Sequence, residues 1–277
     1  MRPQDPRSLP EADHATQGRA PAVPVEIKGV SRIFRRAQIE TRALEHVDLS
    51  IQTGEFVAVV GPSGCGKSTL LKIIAGLLGP TEGHVAIAGK TIDGPHTDLG
   101  IVFQSPVLLD WRNVLDNVLV QIDLRGGNVG AYRSRAQALL TKVGLAGFAN
   151  RMPRELSGGM RQRAAIVRAL IHQPPLLMMD EPFGALDALT REQMRIDLEK
   201  LWLERGQTTL FITHGISEAV ALADRVVVMT PRPGRIERII KIDLPRPRHK
   251  SVVSSQHFTD YCDEITECFM RHGVIQY

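Results

Sequence analysis

The 277-residue chain sets 34 Lys and Arg against 30 Asp and Glu, a formal charge of +4, and is 43% hydrophobic, enough to close a large core without staples. So mild a positive balance permits contact with anionic lipid or a polyanion without demanding it, and the three cysteines, Cys65, Cys262 and Cys268, cannot all pair and lack the spacing of a zinc site, which predicts a reduced, cytoplasmic setting. No apolar run approaches the ~18 residues of a membrane span, and residues 1–22 hold no apolar signal segment, so the chain is expected neither to cross a membrane nor to be exported.

Residues 1–24 carry Pro3, Pro6, Pro10, Pro21 and Pro24 among small polar side chains, the composition of a flexible tail. From Val25 onward, Val25, Ile27, Val30 and Ile33 and then Leu44, Val47, Leu49 and Ile51 predict short strands of an antiparallel layer, followed by a buried strand over residues 56–60. Leu70, Leu71, Ile74 and Leu77 fit one face of a helix that begins after Lys67 and ends at Gly79-Pro80. Residues 114–143 read as helix broken at Gly126-Gly127, and a further helix over 160–172 stops before Pro174-Pro175. Together they predict an α-rich insertion at about residues 105–160.

Residues 176–179, 208–212 and 226–229 read as strands and 189–204 as a helix, so the core is expected to be a parallel sheet wrapped by helices. Phe258, Tyr261, Ile265 and Phe269 predict a short amphipathic helix in the tail. The expected units are a tail over 1–24, a main domain over 25–245 and an extension over 246–277. Arg232, Arg235, Arg238, Lys241, Arg246, Arg248 and Lys250 read either as a contact for anionic lipid head groups or as a solvated basic face.

Directly between a predicted strand and a predicted helix stand Gly61, Pro62, Ser63, Gly64, Cys65, Gly66, Lys67, Ser68 and Thr69. This is the Gly-x-x-x-x-Gly-Lys-Ser phosphate loop in the context it requires. Its glycines let backbone N–H groups curl around a polyphosphate, the helix N-terminus adds positive potential, Lys67 reaches the β and γ phosphates, and Ser68 is a Mg²⁺ ligand. Cys65 is either a thiol activated by that field or a small filler.

Four apolar residues, 176–179, lead into Asp180 and Glu181, as in a buried strand that emerges at the nucleotide. Asp180 is the candidate for the Mg²⁺ shell and Glu181 for orienting or deprotonating the attacking water, and two adjacent acids are expected to raise one pKa. Leu156, Ser157, Gly158, Gly159 and Met160 open another helix. Two glycines in a first turn each cost about 1 kcal/mol against alanine, so close backbone approach to a ligand is the candidate reason, with Ser157 as cap.

With these three motifs the chain resembles the nucleotide-binding subunits of ATP-binding cassette (ABC) transporters from Val25 to about Leu244. The resemblance implies an α/β P-loop NTPase core with a parallel sheet, an N-terminal antiparallel β subdomain and an inserted α-helical subdomain. It also implies ATP and Mg²⁺ as ligands and a head-to-tail dimer or paired cassette in which residues 156–160 meet the γ-phosphate held by the opposite subunit. Further elements follow in the family's order. Phe34 resembles the aromatic that stacks on adenine, although pattern alone leaves it an ordinary core residue. Gln104 resembles the Q-loop glutamine, an amide for Mg²⁺ or water; Ala185, Leu186 and Asp187 resemble the D-loop; and His214 resembles the switch histidine. The usual acid after that histidine is replaced by Gly215, and Ser217 stands where another acid is common.

Leu108-Leu-Asp-Trp111-Arg-Asn-Val114, with Asp110 in place of a common proline, residues 181–191, and Pro231-Arg-Pro-Gly-Arg-Ile236 look like the nitrate/sulfonate/taurine importer branch. The implied partners are integral membrane permease subunits at the cytoplasmic face of the cell membrane and, through them, an extracytoplasmic substrate-binding protein. A soluble ABC ATPase acting on nucleic acid or ribosomes is the alternative. Chromosome-associated members need a long coiled coil between Lys67 and Ser157, where no sustained heptads occur, and translation members carry two cassettes, so no nucleic acid is expected. A small-molecule P-loop kinase would leave Ser157, Gln104 and His214 without a purpose.

Overall fold

The computed structural model describes residues 22–36 and 39–275; most of the predicted N-terminal tail lies outside them. β1 (Val25–Arg36) and β2 (Ile39–Ile51) form one long antiparallel hairpin, and β4 (Glu82–Ile87) and β5 (Lys90–Thr91) extend it into a four-stranded sheet of order β2-β1-β4-β5. The second sheet contains β3 (Phe56–Val60), β6 (Gly100–Val102), β7 (Leu176–Asp180), β8 (Thr208–Thr213), β9 (Arg225–Met229) and β10 (Ile236–Lys241), in the order β10-β9-β3-β8-β7-β6. Its strands are parallel except β10, which pairs antiparallel with β9 at one edge.

Strand alternation divides the core into two layers. Phe56, Ala58 and Val60 of β3, Met179 of β7, Phe211 of β8 and Val228 of β9 face one layer, where helices cover them; Val57, Val59, Met178, Leu210 and Val227 face the other, against the four-stranded sheet and the helix after the phosphate loop. Burial on both faces is why these strands read as continuous apolar runs rather than alternating ones.

That helix, α1 (Lys67–Ile74), ends earlier than the sequence predicts. Gly76 N donates to Ile73 O at 3.0 Å and Leu77 N to Lys72 O at 2.9 Å, a paired cap that turns the chain away, so Leu77 lies 51% exposed instead of extending the buried face. α2 (Val114–Leu124) and α3 (Val129–Lys142) flank Gly126-Gly127 as expected, each capped by an asparagine, Asn113 and Asn128. They pack with α4 (Gly158–Leu170) as the helical insertion, while α5 (Ala188–Arg205) and α6 (Ile216–Leu222) follow β7 and β8.

After the short α7 (Lys250–Val253), α8 (Gln256–Arg271) lays Phe258, Ile265, Cys268 and Phe269 against the helical layer of the core, next to α6. The C-terminal basic residues divide between paired surface positions and the interior. Arg235 pairs with Glu45 at 2.6 Å, Arg238 with Glu264 at 2.7 Å and Arg246 with Asp224 at 2.7 Å. Arg248 is buried and donates to the carbonyl oxygens of Val220 and Ala223, both at 2.7 Å. Arg246 and Arg248 thus belong to an internal polar network of carboxylates and helix-end carbonyls, whereas Arg232, Arg235, Arg238, Lys241 and Lys250 stay at the surface. No helix among the described residues is long and apolar enough to cross a membrane.

Candidate functional site

β3, β8, β7 and β6 are adjacent and parallel, so the residues that follow them meet along one edge of the sheet. Residues 61–68 leave β3, His214 leaves β8, Glu181 leaves β7 and Gln104 comes two residues after β6. The sheet order thus gathers four sequence-distant candidates beside a cavity of ≈ 650 Å³, lined among others by Phe34, Ser63, Lys67, Ser68, Gln104 and Glu181.

Lys67 is 5% exposed, and its ammonium is already held in place: Nζ donates to Gly61 O at 2.8 Å and Pro62 O at 3.1 Å and stands 3.9 Å from Glu181 Oε1. A buried cation held mainly by neutral carbonyls keeps much of its charge available to an incoming anion. Ser68 Oγ donates to Asp180 Oδ1 at 3.0 Å. Burial raises the Asp180 carboxyl above its ordinary range, with the Ser68 hydroxyl opposing and the neighbouring Glu181 carboxylate adding to it.

Glu181 is the hub. Its Oε2 accepts from Gln104 Nε2 at 3.2 Å and lies 3.4 Å from His214 Nδ1, and its backbone adopts φ 45°, a left-handed conformation that residues other than glycine rarely take. Glu181 N donates to Ile212 O at 2.8 Å and Glu181 O accepts from Gly184 N at 3.2 Å, which hold the turn. Beside His214, the Glu218 carboxylate occupies the space next to Gly215. A Cβ on Gly215 would lie 2.9 Å from Glu218 Cδ, and the Glu218 carboxylate fills that space, accepting from Thr213 Oγ1 at 2.6 Å and pairing with Arg191 at 3.5 Å. Sequence reading missed Glu218; its place in the first turn of α6 was the available signal.

Cys65 is the small filler. It is 1% exposed, burial pushes its thiol pKa up despite Lys67, and its Sγ occupies the space a Cβ on Gly61 would take, 2.8 Å away. Phe34 is not core: the ring is 38% exposed at the cavity wall, with the Arg32 guanidinium 4.8 Å from its centroid.

The segment 156–160 is absent from the residues that line the cavity. Leu156 is buried, Ser157 caps α4 by accepting from Met160 N at 3.3 Å, and the open first turn of α4 faces away from core packing at Gly158, where a Cβ would meet nothing within 4 Å. Gly159 differs. A Cβ there would lie 2.6 Å from Thr190 Cγ2 of α5, so packing within the chain by itself disfavours a side chain at this position. Gly159→Ala is expected to lower stability by up to about 2 kcal/mol, overpacking of about 1–3 kcal/mol exceeding the helix gain of about 1 kcal/mol; Thr190→Ser in the same chain should restore most of the lost melting temperature.

Ala185, Leu186 and Asp187 fill the turn before α5. Leu186 enters the core, and Asp187 caps α5 by accepting from Thr190 N at 3.0 Å; the Thr190 side chain, seconded by that backbone bond, holds the Asp187 carboxyl below the usual range. The helix of the glycine pair is also tied to the loop of Gln104. Gln162 Nε2 donates to Phe103 O at 3.3 Å, and the Arg168 guanidinium donates to Pro106 O at 3.0 Å and Val107 O at 2.7 Å. A displacement at Gln104 is thereby mechanically connected to α4.

The ABC transporter family model matches residues 44–184. An uncharacterized ABC transporter ATP-binding protein of Methanocaldococcus jannaschii is 45% identical over 243 residues, covering 88% of this chain and 90% of that one. An aliphatic sulfonates import ATP-binding protein of Bacillus cereus is 41% identical over 252 residues, 91% and 98% of the two chains. A taurine import ATP-binding protein of Ruegeria pomeroyi is 49% identical over 197 residues, 71% and 74% of the two. Among solved structures, a dimeric ATP-binding cassette in a post-hydrolysis state with ADP and Pi superposes with a TM-score of 0.71 at 36% identity, over 79% of this chain and 98% of that one.

Proposed function

The chain belongs to the ABC transporter family of ATPases, and on that premise we propose that it hydrolyses ATP to energise uptake of a small anionic solute of the nitrate, sulfonate or taurine type. The solute passes through separate membrane permease subunits, which this chain joins at the cytoplasmic face and which receive it from an extracytoplasmic substrate-binding protein. The observation that carries the reading is the division of the site. One cavity unites Lys67, Ser68, Gln104 and Glu181, while the capped glycine end of α4 stands outside it with open space at Gly158. Two chains placed head to tail would complete both sites, each triphosphate lying between the phosphate loop of one and Ser157 of the other. The relatives named for sulfonate and taurine import support the solute class.

In this reading Phe34 stacks on the adenine, the backbone of residues 61–68 and Lys67 hold the phosphates, and Glu181 takes a proton from the attacking water, oriented by Gln104 and His214. The hydroxyl of Ser68, the carboxylate of Asp180 and the amide oxygen of Gln104 are hard donors, and a half-buried carboxyl with raised proton affinity is one a divalent cation would keep ionised, so these residues fit Mg²⁺. When bound, the ion would supply neutralisation of phosphate charge. Charge-assisted contacts of about 1.5–3 kcal/mol each are enough, several together, to bias an open pair toward a closed one. The loop bonds from Gln162 and Arg168 then carry that closure toward a permease.

Cells lacking the chain should lose uptake of radiolabelled taurine or alkanesulfonate, and the parent gene should restore it. Gly158→Asp should not, although the purified variant should bind Mg-ATP as a monomer as tightly as the parent. Full uptake by Gly158→Asp would refute the two-chain site, and uptake of neither solute after restoration would refute the solute class.

A further inference from the structure

The segment between β9 and β10 is given no role by the reading above, yet it reaches the phosphate loop. Pro231 and Pro233 restrict its backbone, and Thr230 Oγ1 donates toward Pro231 O at 3.0 Å and Pro233 O at 3.1 Å while accepting from Arg235 N at 3.0 Å. Gly234 N donates to Ala43 O and Glu45 N to Gly234 O, each at 3.0 Å, which pins the segment to β2. A Cβ on Gly234 would lie 1.9 Å from Cys65 O, so only glycine lets this strap seat on the phosphate loop.

Seated there, Arg232 lies across the loop. Its Nε and Nη2 hydrogen bond Gly64 O, both at 3.2 Å, from 168 positions along the chain. The side chain lines the same cavity as Phe34, Ser63 and Lys67, and among the described residues no carboxylate lies within ion-pair distance of it. A guanidinium has five N–H donors, of which one carbonyl oxygen engages two. The remaining donors belong to a permanent cation fixed at the rim of a cavity that already holds an ammonium, with no carboxylate among the described residues close enough to pair with it.

We propose that Arg232 is a second nucleotide-binding cation, which braces Gly64 with one edge and donates to the polyphosphate of bound ATP with the other. The inference rests on the ATP-site reading and adds a residue to it. Arg232 would contribute charge from outside the loop, where Lys67 contributes it from within. Because the strap is held by β2 as well, nucleotide binding would also be registered by the β9–β10 hairpin.

The test is titration of the purified full chain with Mg-ATP at several salt concentrations, for the parent, Arg232→Ala and Arg232→Lys, with the melting temperature of the nucleotide-free proteins alongside. Arg232→Ala should bind about tenfold more weakly with a shallower salt dependence, its nucleotide-free melting temperature staying within about 2 °C of the parent. Arg232→Lys should keep the salt dependence and recover only part of the affinity, since an ammonium cannot grip Gly64 O as a fork and reach a phosphate together. Affinity within twofold of the parent for Arg232→Ala, or weaker binding with an unaltered salt dependence, would overturn the proposal and leave Arg232 as a loop brace. Absence of Mg-ATP binding by the parent would instead overturn the ATP-site reading itself.

Discussion

Glu181→Gln is expected to cut ATP turnover by about 10³-fold, in the range that removal of a general base produces, while Mg-ATP affinity stays within about threefold of the parent. The substitution is nearly isosteric, keeps an oxygen that can accept from Gln104 Nε2, and leaves the φ 45° turn unchanged, so the surroundings have no reason to collapse. What is lost is the oxygen that can take a proton at the point where Gln104 and His214 converge. Without hydrolysis the closed pair has no route back to the open one except release of intact ATP, so the variant should run as a dimer in Mg-ATP on size exclusion with light scattering. The neutral amide also removes one negative charge from beside the phosphates, which favours triphosphate binding and works in the same direction. Phosphate release at the parent rate would take Glu181 out of its role, and a strictly monomeric variant saturated with Mg-ATP would remove the second subunit from the site.

Much of this site is legible in the sequence because its chemistry is local. Residues 61–66 form the loop between β3 and α1 that the motif spacing predicts, and Asp180-Glu181 closes an apolar run whose burial follows from the run itself. Ser157, likewise, caps a helix as its position predicts. Contacts that depend on distant pairing were not legible. β6 is three residues long and β10 mixes charges into a short strand, so neither edge of the six-stranded sheet has a periodic signature. Leu77 satisfies the helical spacing of α1, but the cap at Gly76 ends the helix first.

Arg248 reads as one more charge in a basic tail, and only the fold brings it to the carbonyl oxygens of Val220 and Ala223. The two glycines of residues 158 and 159 look equivalent in sequence, yet one meets open space and the other meets Thr190. Sequence pattern reports what a residue permits, and packing decides which of those permissions is used.

Lys67→Ala is expected to weaken Mg-ATP binding by about 100-fold, the equivalent of one strong charge-assisted bond of about 3 kcal/mol. Two features decide the sign and size. The ammonium is 5% exposed, so its desolvation has already been met in folding, and its bonds to Gly61 O and Pro62 O can be exchanged for phosphate oxygens at little further loss. Alanine removes that positive charge and leaves the two carbonyls without their donor beside an incoming anion, a repulsive arrangement rather than a neutral one. Stability should move less than binding, because the void opens onto the cavity and water can satisfy both carbonyls. Isothermal titration of the parent and the variant, with the melting temperature of each nucleotide-free chain, separates the two effects. Unchanged ATP affinity in a variant that still folds would show that the polyphosphate does not sit on this loop, and the roles assigned to Ser68, Asp180 and Glu181, which depend on where the loop places the γ-phosphate, would go with it.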